Sequence, residues 1–178
     1  HVLVDMSSSM KKRVNSRGSS KSREQVAREA SLALALALEP IPGVNPAVTY
    51  FCDKPQRPVF SVVKHGENVL NQSGRFLFGS CGTTPMAEAI WYAAFELSKT
   101  REDRKMMIVV TDGRPNEVAP TQAVIDLCHR SDIEMVGIGI ETSAVSGLFD
   151  KNIVIDDATE LQRTLFKLME RSLTANAA

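Results

Sequence analysis

The stretch Val2-Leu3-Val4-Asp5-Met6-Ser7-Ser8-Ser9-Met10 places three apolar residues before a carboxylate and two hydroxyls at alternate positions. The apolar residues predict a short buried strand. Asp5, Ser7 and Ser9 then supply three oxygen-bearing side chains in the following turn, and Mg²⁺ prefers oxygen ligands. In open α/β sheets, ligands bind beside the carboxyl ends of the strands. The stretch therefore indicates either a cation-binding loop or a strand that simply ends in a polar turn.

Apolar runs and helical patterns alternate along the rest of the chain. Further strands are predicted at 47–52, 59–63, 105–111, 133–140 and 153–155, and helices at 23–39, 85–99, 120–129 and 157–173. The alternation predicts an α/β fold, with a doubly wound, mostly parallel central sheet and helices on both faces. Nearby prolines place the strand 59–63 at an edge of that sheet.

Length and composition limit the class of protein. The 178 residues are 43% hydrophobic and 24% charged, and their formal net charge is zero. These values predict one domain spanning 1–178, which we expect to be excised from a longer protein because the sequence starts within a strand. The neutral balance gives no basis for nucleic acid or an anionic membrane as a partner. The longest apolar run, 32–38, is too short to cross a bilayer.

The cysteines suggest a compartment. Cys52, Cys81 and Cys128 are odd in number and far apart, so they indicate neither a disulfide framework nor a zinc site. We therefore expect Cys81 to be a small buried residue and the protein to reside in the reducing cytoplasm.

Two later loops carry further oxygen ligands. Thr84 precedes Pro85 at the start of a predicted helix, and Asp112 follows the continuous apolar run 106–110. Each has an ordinary alternative, since Thr84 suits a helix N-cap and Asp-Gly is a common turn. The carboxyl ends of parallel strands share one rim, however, so the loops are expected to meet there. The candidate metal ligands are Asp5, Ser7, Ser9, Thr84 and Asp112.

This constellation resembles the metal-ion-dependent adhesion site (MIDAS) of von Willebrand factor A (vWA) domains, and the resemblance covers nearly the whole chain. It rests on D-x-S-x-S, a distant Thr before Pro, and a distant Asp in T-D-G. It implies a dinucleotide-binding-like topology with strand order 3-2-1-4-5-6. It also implies a bound Mg²⁺ or Mn²⁺ that Ser7, Ser9 and Thr84 contact directly, while Asp5 and Asp112 act wholly or partly through water. Thr83 replaces Thr84 if the register differs by one.

Within the family, the Thr-Pro form and the closing segment 153–157 look most like the carboxyl-terminal domain of the cobaltochelatase T subunit. That likeness implies a place in cobalamin biosynthesis, beside an AAA+ ATPase or another chelatase subunit. The basic loop 11–21 is longer than this subgroup leads us to expect. It is interpreted as a mobile, solvated loop or as a rim that attracts an acidic partner.

Two functions fit these residues. In the first, the domain is a non-enzymatic interaction module, and a partner protein's Asp or Glu fills the open position on the metal. In the alternative, it is a Mg²⁺-dependent hydrolase or phosphotransferase with Asp5 as the nucleophile. Ser7 leaves no second acid two residues after Asp5, and no His or phosphate-binding loop accompanies the motif. The interaction module is therefore the favoured prediction.

Overall fold

A computed structural model describes residues 1–14, 20–54 and 57–174. Its six strands form one sheet, in the order β3-β2-β1-β4-β5-β6. The strands are β1 (Val2–Asp5), β2 (Val48–Phe51), β3 (Val59–Val63), β4 (Lys105–Thr111), β5 (Ile133–Ile140) and β6 (Lys151–Ile155). The edge strand β3 runs antiparallel to β2, while the other described pairs are parallel. The predicted fold class and strand order are confirmed.

In the described part of the chain, four helices surround this sheet. They are α1 (Arg23–Leu38), α2 (Met86–Ser98), α3 (Val118–Arg130) and α4 (Leu161–Thr174), with short 3₁₀ turns at Ser8–Lys11, Leu70–Leu77, Ala144–Gly147 and Ala158–Glu160. A capping box starts α1, since Ser22 and Gln25 each accept a hydrogen bond from the other's backbone N–H. No helix among the described residues is long and apolar enough to cross a membrane. Residues 15–19 of the predicted mobile loop lie outside the described residues.

The central strand β1 is buried on both faces. Val4 belongs to a core that includes Leu34 of α1, whereas Leu3 belongs to a second core that includes Ile90 of α2. Successive side chains of a strand point to opposite faces, so a strand between two helical layers must be apolar at every position. This burial explains why the stretch begins as an unbroken apolar run. It also fixes where Asp5 emerges, at the carboxyl end of the strand.

Helix α2 differs from its prediction at its start. It begins at Met86 with Pro85 as its cap residue and no side-chain cap bond, so the N-cap role expected for Thr84 is wrong. Further along the helix, Trp91 is 57% exposed. The reason is its position, because the buried stripe of the helix runs through Ile90 and Leu97 at helical spacing, and Trp91 lies beside that stripe.

The cysteines also differ from the prediction. Cys52 and Cys81 form a disulfide, and Cys128 is free and buried. The two bonded residues are separated by 29 positions, so the sequence alone did not pair them. The fold brings them together because the chain leaving β2 lies against the loop before Thr84, where the Asp53 N–H donates to the Thr83 carbonyl at 3.1 Å. The expectation of unpaired cysteines, on which a reducing compartment was predicted, is wrong.

Candidate metal site

The first part of the site is a buried carboxylate where two central strands end. Val4 of β1 pairs with Val110 of β4, so the next residues of the two strands are neighbours. The Asp5 side chain is fully buried. Its Oδ1 accepts a hydrogen bond from the Ser7 backbone N–H at 2.7 Å, and its Oδ2 accepts one from the Thr111 hydroxyl at 2.6 Å. These two bonds hold the turn after β1 against the end of β4.

The burial of Asp5 has an electrostatic consequence. Loss of solvation raises the pKa of Asp5 to about 6, although the hydrogen bonds from Thr111 and Ser7 act in the opposite direction. A buried carboxylate of this kind is costly to ionise unless a positive charge lies nearby. The end of β1 is therefore suited to a cation.

Two hydroxyls connect the turn after β1 to the loop after β4. The Ser7 and Ser9 hydroxyl oxygens lie 2.9 Å apart, and the Ser9 hydroxyl donates to Oδ1 of Asp112 at 2.5 Å. Ser9 and Asp112 are 103 residues apart in the chain, so this contact is a product of the fold. The structure thus brings together four of the predicted site residues in one hydrogen-bonded group at the rim.

Thr84 reaches the same rim through its backbone. Its N–H donates to the Asn116 side-chain oxygen at 2.8 Å, and its carbonyl accepts from the Asn116 N–H at 2.9 Å. Asn116 lies in the same loop as Asp112, only four residues later. On the other side, the Ser8 N–H donates to the Gly82 carbonyl at 3.0 Å. The loop of Thr84 is therefore attached to both of the loops that carry the other candidate ligands.

The choice between Thr84 and Thr83 depends on their surroundings. Thr84 is buried, whereas Thr83 is exposed and donates its hydroxyl to Asp53 at 3.2 Å. Gly82 has a φ of +53°, and a Cβ at that position would lie 2.1 Å from the Asp53 carbonyl oxygen. Only glycine fits so close to the chain after β2, and the resulting turn directs Thr83 outward. Thr84 is the better candidate ligand.

An arginine and a third carboxylate also lie at the rim. The Arg23 guanidinium donates to Oδ2 of Asp112 at 2.8 Å and to Oε2 of Glu141 at 2.5 Å. Its side chain is only 10% exposed. Burial alone would lower the pKa of Arg23, but its hydrogen bonds and attraction to Asp112 and Glu141 raise that pKa above its usual value. Arg23 is therefore a permanent positive charge beside Asp112.

Sequence reasoning missed several of these residues. Glu141 follows β5 directly, so the rule that placed Asp5 and Asp112 on the rim also applied to it. Thr111 belongs to the T-D-G triplet, but only the pairing of β1 with β4 shows that its hydroxyl faces Asp5. No sequence signal marks Arg23, which was interpreted only as the first residue of a helix.

The donor set is suited to a hard divalent cation. It consists of carboxylate and hydroxyl oxygens, without a sulfur or imidazole group, and such ligands suit Mg²⁺ and Mn²⁺. Among the described residues, no group of three or more His, Cys, Asp and Glu side chains is arranged to hold a metal. A cation at this rim would therefore depend on the hydroxyls as well as the two aspartates.

The sequence and the geometry agree with one protein family. The family model for the von Willebrand factor type A domain matches residues 1–165, which is most of the chain. The chain belongs to the vWA domain family. Domains of this family mediate protein–protein interactions. No curated protein sequence matches this vWA domain significantly.

Solved structures share the fold of this vWA domain at low sequence identity. The pilus adhesin SpaC of Lactobacillus rhamnosus GG aligns with a TM-score of 0.77 at 18% identity, covering 95% of this chain and 30% of the adhesin. Proximal thread matrix protein 1 of the mussel byssus, with a zinc-occupied MIDAS motif, aligns at 0.72 and 16% identity, covering 96% and 44%. The SpRpn10 VWA domain aligns at 0.72 and 12% identity, covering 92% of each chain. This chain thus spans less than half of the adhesin and of the mussel protein.

Proposed function

We propose that this vWA domain is a metal-dependent interaction module. In this proposal Asp5, Ser7, Ser9, Thr84 and Asp112 hold Mg²⁺ or Mn²⁺, and an Asp or Glu of a partner protein binds to the metal. The observation that supports it most is the hydrogen bond from Ser9 to Asp112, because it joins the loops after β1 and β4 at one point. The attachment of Thr84 to Asn116 supplies the third loop.

The chemistry of the residues explains why such a site would bind acids. Ser7, Ser9 and Thr84 offer neutral oxygens, so only the two aspartates contribute negative charge to the cation. A divalent metal with few anionic ligands keeps much of its attraction for a further carboxylate. A contact of that kind is both charged and directional, so it selects an acidic side chain in one orientation.

The alternative phosphotransfer role for Asp5 has less support. A nucleophilic carboxylate must be reached by the group that it attacks. Both Asp5 oxygens already accept hydrogen bonds, from Ser7 and Thr111, and the side chain is fully buried. Asp5 is therefore better suited to orient the turn than to attack a substrate.

The resemblance to chelatase subunits implies one assembly in which such a module would act, a cobaltochelatase-like complex. An AAA+ ATPase or chelatase subunit would then supply the acidic residue. The two similar structures that are described above as an adhesin and a thread matrix protein give this assembly no particular support. The Cys52–Cys81 disulfide also removes the support for the predicted cytoplasmic location, because that location was inferred from unpaired cysteines.

Calorimetric titration with Mg²⁺ and Mn²⁺ tests the metal site. We expect saturable binding to the wild type and none to Asp112→Asn, with both proteins folded by circular dichroism. Asp132→Asn is the matched control, because Asp132 is exposed and its positive φ of 55° is tolerated by Asn. Equal binding by the Asp112 and Asp132 variants would exclude the proposed ligand set.

Peptide capture tests the partner chemistry. Immobilised peptides that each carry one Asp or Glu are compared with the same peptides carrying Asn or Gln, in Mn²⁺ and in EDTA. We expect some acidic peptides to retain the domain in Mn²⁺ only, and their amide counterparts to retain none. Retention that is equal for acids and amides, or unaffected by EDTA, would contradict the proposal.

A further inference from the structure

Arg23 occupies a costly position for an arginine. It is the first residue of α1, where the helix dipole disfavours a positive charge. It is also almost completely buried, and burying a charge is unfavourable unless the charge is paired. Both costs are offset here by Asp112 and Glu141, which lie on different strand ends. The placement of this side chain therefore depends on the candidate metal site rather than on the helix.

The two carboxylate oxygens of Asp112 have different hydrogen-bond partners. Oδ1 of Asp112 accepts from the Ser9 hydroxyl, and Oδ2 accepts from Arg23. One oxygen therefore faces the hydroxyls of the turn after β1, and the other is held by a permanent cation. With Oδ2 held in this way, Asp112 has a single oxygen to offer toward Ser7 and Ser9.

We propose that Arg23 is a built-in counter-cation that limits how strongly the site holds its metal, and that Glu141 sets how much of the guanidinium's charge is directed at Asp112. The proposal rests on the metal-binding function proposed above. Arg23 is a positioning residue in this account, since it acts through Asp112. By sharing the charge of Asp112, it leaves a bound cation less neutralised and thus more attractive to a partner's carboxylate.

Two substitutions should then change metal affinity in opposite directions. Arg23→Met removes the competing charge, so we expect Mn²⁺ to bind about tenfold more tightly. Glu141→Gln removes one of the two carboxylates that pair with Arg23 among the described residues, so more of the guanidinium's charge acts on Asp112 and we expect Mn²⁺ to bind about threefold more weakly. A purely structural clamp predicts something different, because loss of either residue would then loosen the loop and weaken binding.

Arg23→Met removes the cation beside the buried Asp112 carboxylate, which destabilises the metal-free protein. Two further variants keep the test clear if this variant does not fold. The double variant Arg23→Met/Glu141→Gln removes one charge of each sign, and we expect its affinity to lie between those of the single variants. Arg23→Lys keeps the charge but lacks the planar fork that reaches two carboxylates. We expect its Mn²⁺ affinity to stay within about threefold of wild type, because the charge remains near Asp112.

The experiment measures Mn²⁺ dissociation constants by titration, together with metal-free melting temperatures by circular dichroism. Tighter binding by Arg23→Met and weaker binding by Glu141→Gln support the proposal. Unchanged or weaker binding by a folded Arg23→Met variant, or unchanged or tighter binding by Glu141→Gln, would overturn it. Both results differ from failure of the metal site itself, in which the wild type and Asp112→Asn bind Mn²⁺ equally or not at all.

Discussion

Thr111 donates its hydroxyl to Oδ2 of Asp5 at 2.6 Å, across the junction between the last residues of β4 and β1. The same hydroxyl oxygen accepts the Gly113 N–H at 3.1 Å, so it also shapes the turn that carries Asp112. A single buried hydroxyl therefore orients one candidate ligand and the loop of another.

Replacement of Thr111 by Val should test this double role, because Val keeps the shape and removes the hydroxyl. We expect a loss of about 1–3 kcal/mol in the free energy of unfolding, since buried polar groups lose their partner. We also expect weaker Mg²⁺ binding by calorimetry. Thr121→Val is the control, because Thr121 is equally buried but donates to the carbonyl of Glu117, the residue that caps α3. The control should lose stability and keep its metal affinity.

The pKa of Asp5 predicts an unusual dependence of stability on pH. Burial raises the pKa to about 6 in the folded protein, above the usual 3.8, so the folded state binds more protons between these values. In EDTA, the free energy of unfolding should therefore fall as pH rises from about 4 to about 6, by about 3 kcal/mol at most, and then level off. Urea unfolding at a series of pH values measures this change.

The comparison with Asp5→Asn isolates that effect from other titrating groups. Asn retains an oxygen for the Ser7 N–H and cannot ionise, so the variant should lack the decline between pH 4 and 6. Saturating Mg²⁺ should oppose the decline in the wild type, because the metal binds the ionised carboxylate. Identical pH profiles for the two proteins in EDTA would contradict the prediction.

The candidate ligands could be predicted from the sequence, whereas the contacts of Arg23 could not. Asp5, Ser7 and Ser9 lie within five residues, and Asp112 follows a clear apolar strand, so the topology rule for strand ends was enough to place them together. The ion pairs of Arg23 with Asp112 and Glu141 were not predicted. The direction of the Arg23 side chain depends on how α1 packs against the sheet, and that packing leaves no local pattern in the sequence.

Other differences have the same cause. Pairing of Cys52 with Cys81 requires that the chain after β2 meets the loop before Thr84, and spacing along the sequence carries no information on that contact. The fold class, by contrast, follows from the alternation of apolar strands and helices along the chain, and the strand order was implied by the family resemblance.

We expect truncation of a side chain to cost more stability on the buried face of α2 than on its exposed face. Ile90 is fully buried between the helix and the sheet, whereas its neighbour Trp91 is 57% exposed. We expect Ile90→Ala to cost about 2–5 kcal/mol of unfolding free energy, through lost burial and a cavity. Trp91→Ala should cost less than about 1 kcal/mol. Urea denaturation measures both, and a larger loss for the Trp91 variant would mean that α2 is rotated from its described position.

The disulfide between Cys52 and Cys81 predicts a link between thiol oxidation and metal binding. It links two residues that are 29 positions apart in the chain, so its removal should lower the free energy of unfolding by about 2–4 kcal/mol. The bond also anchors the loop of Thr84 to the chain after β2. Without it, metal binding must order about one more residue of that loop. We therefore expect Mn²⁺ to bind about tenfold more weakly.

The double variant Cys52→Ala/Cys81→Ala tests this link without a reductant, and Cys128→Ala is its control because Cys128 is buried and unpaired. Dithiothreitol should reproduce the effect in the wild type and in the Cys128 variant, and should have no effect on the double variant. The remaining backbone bonds, such as Ser8 to Gly82, should keep the loop near the rim, so binding is weakened rather than lost. Unchanged Mn²⁺ affinity in a folded double variant would show that these backbone bonds suffice to position Thr84.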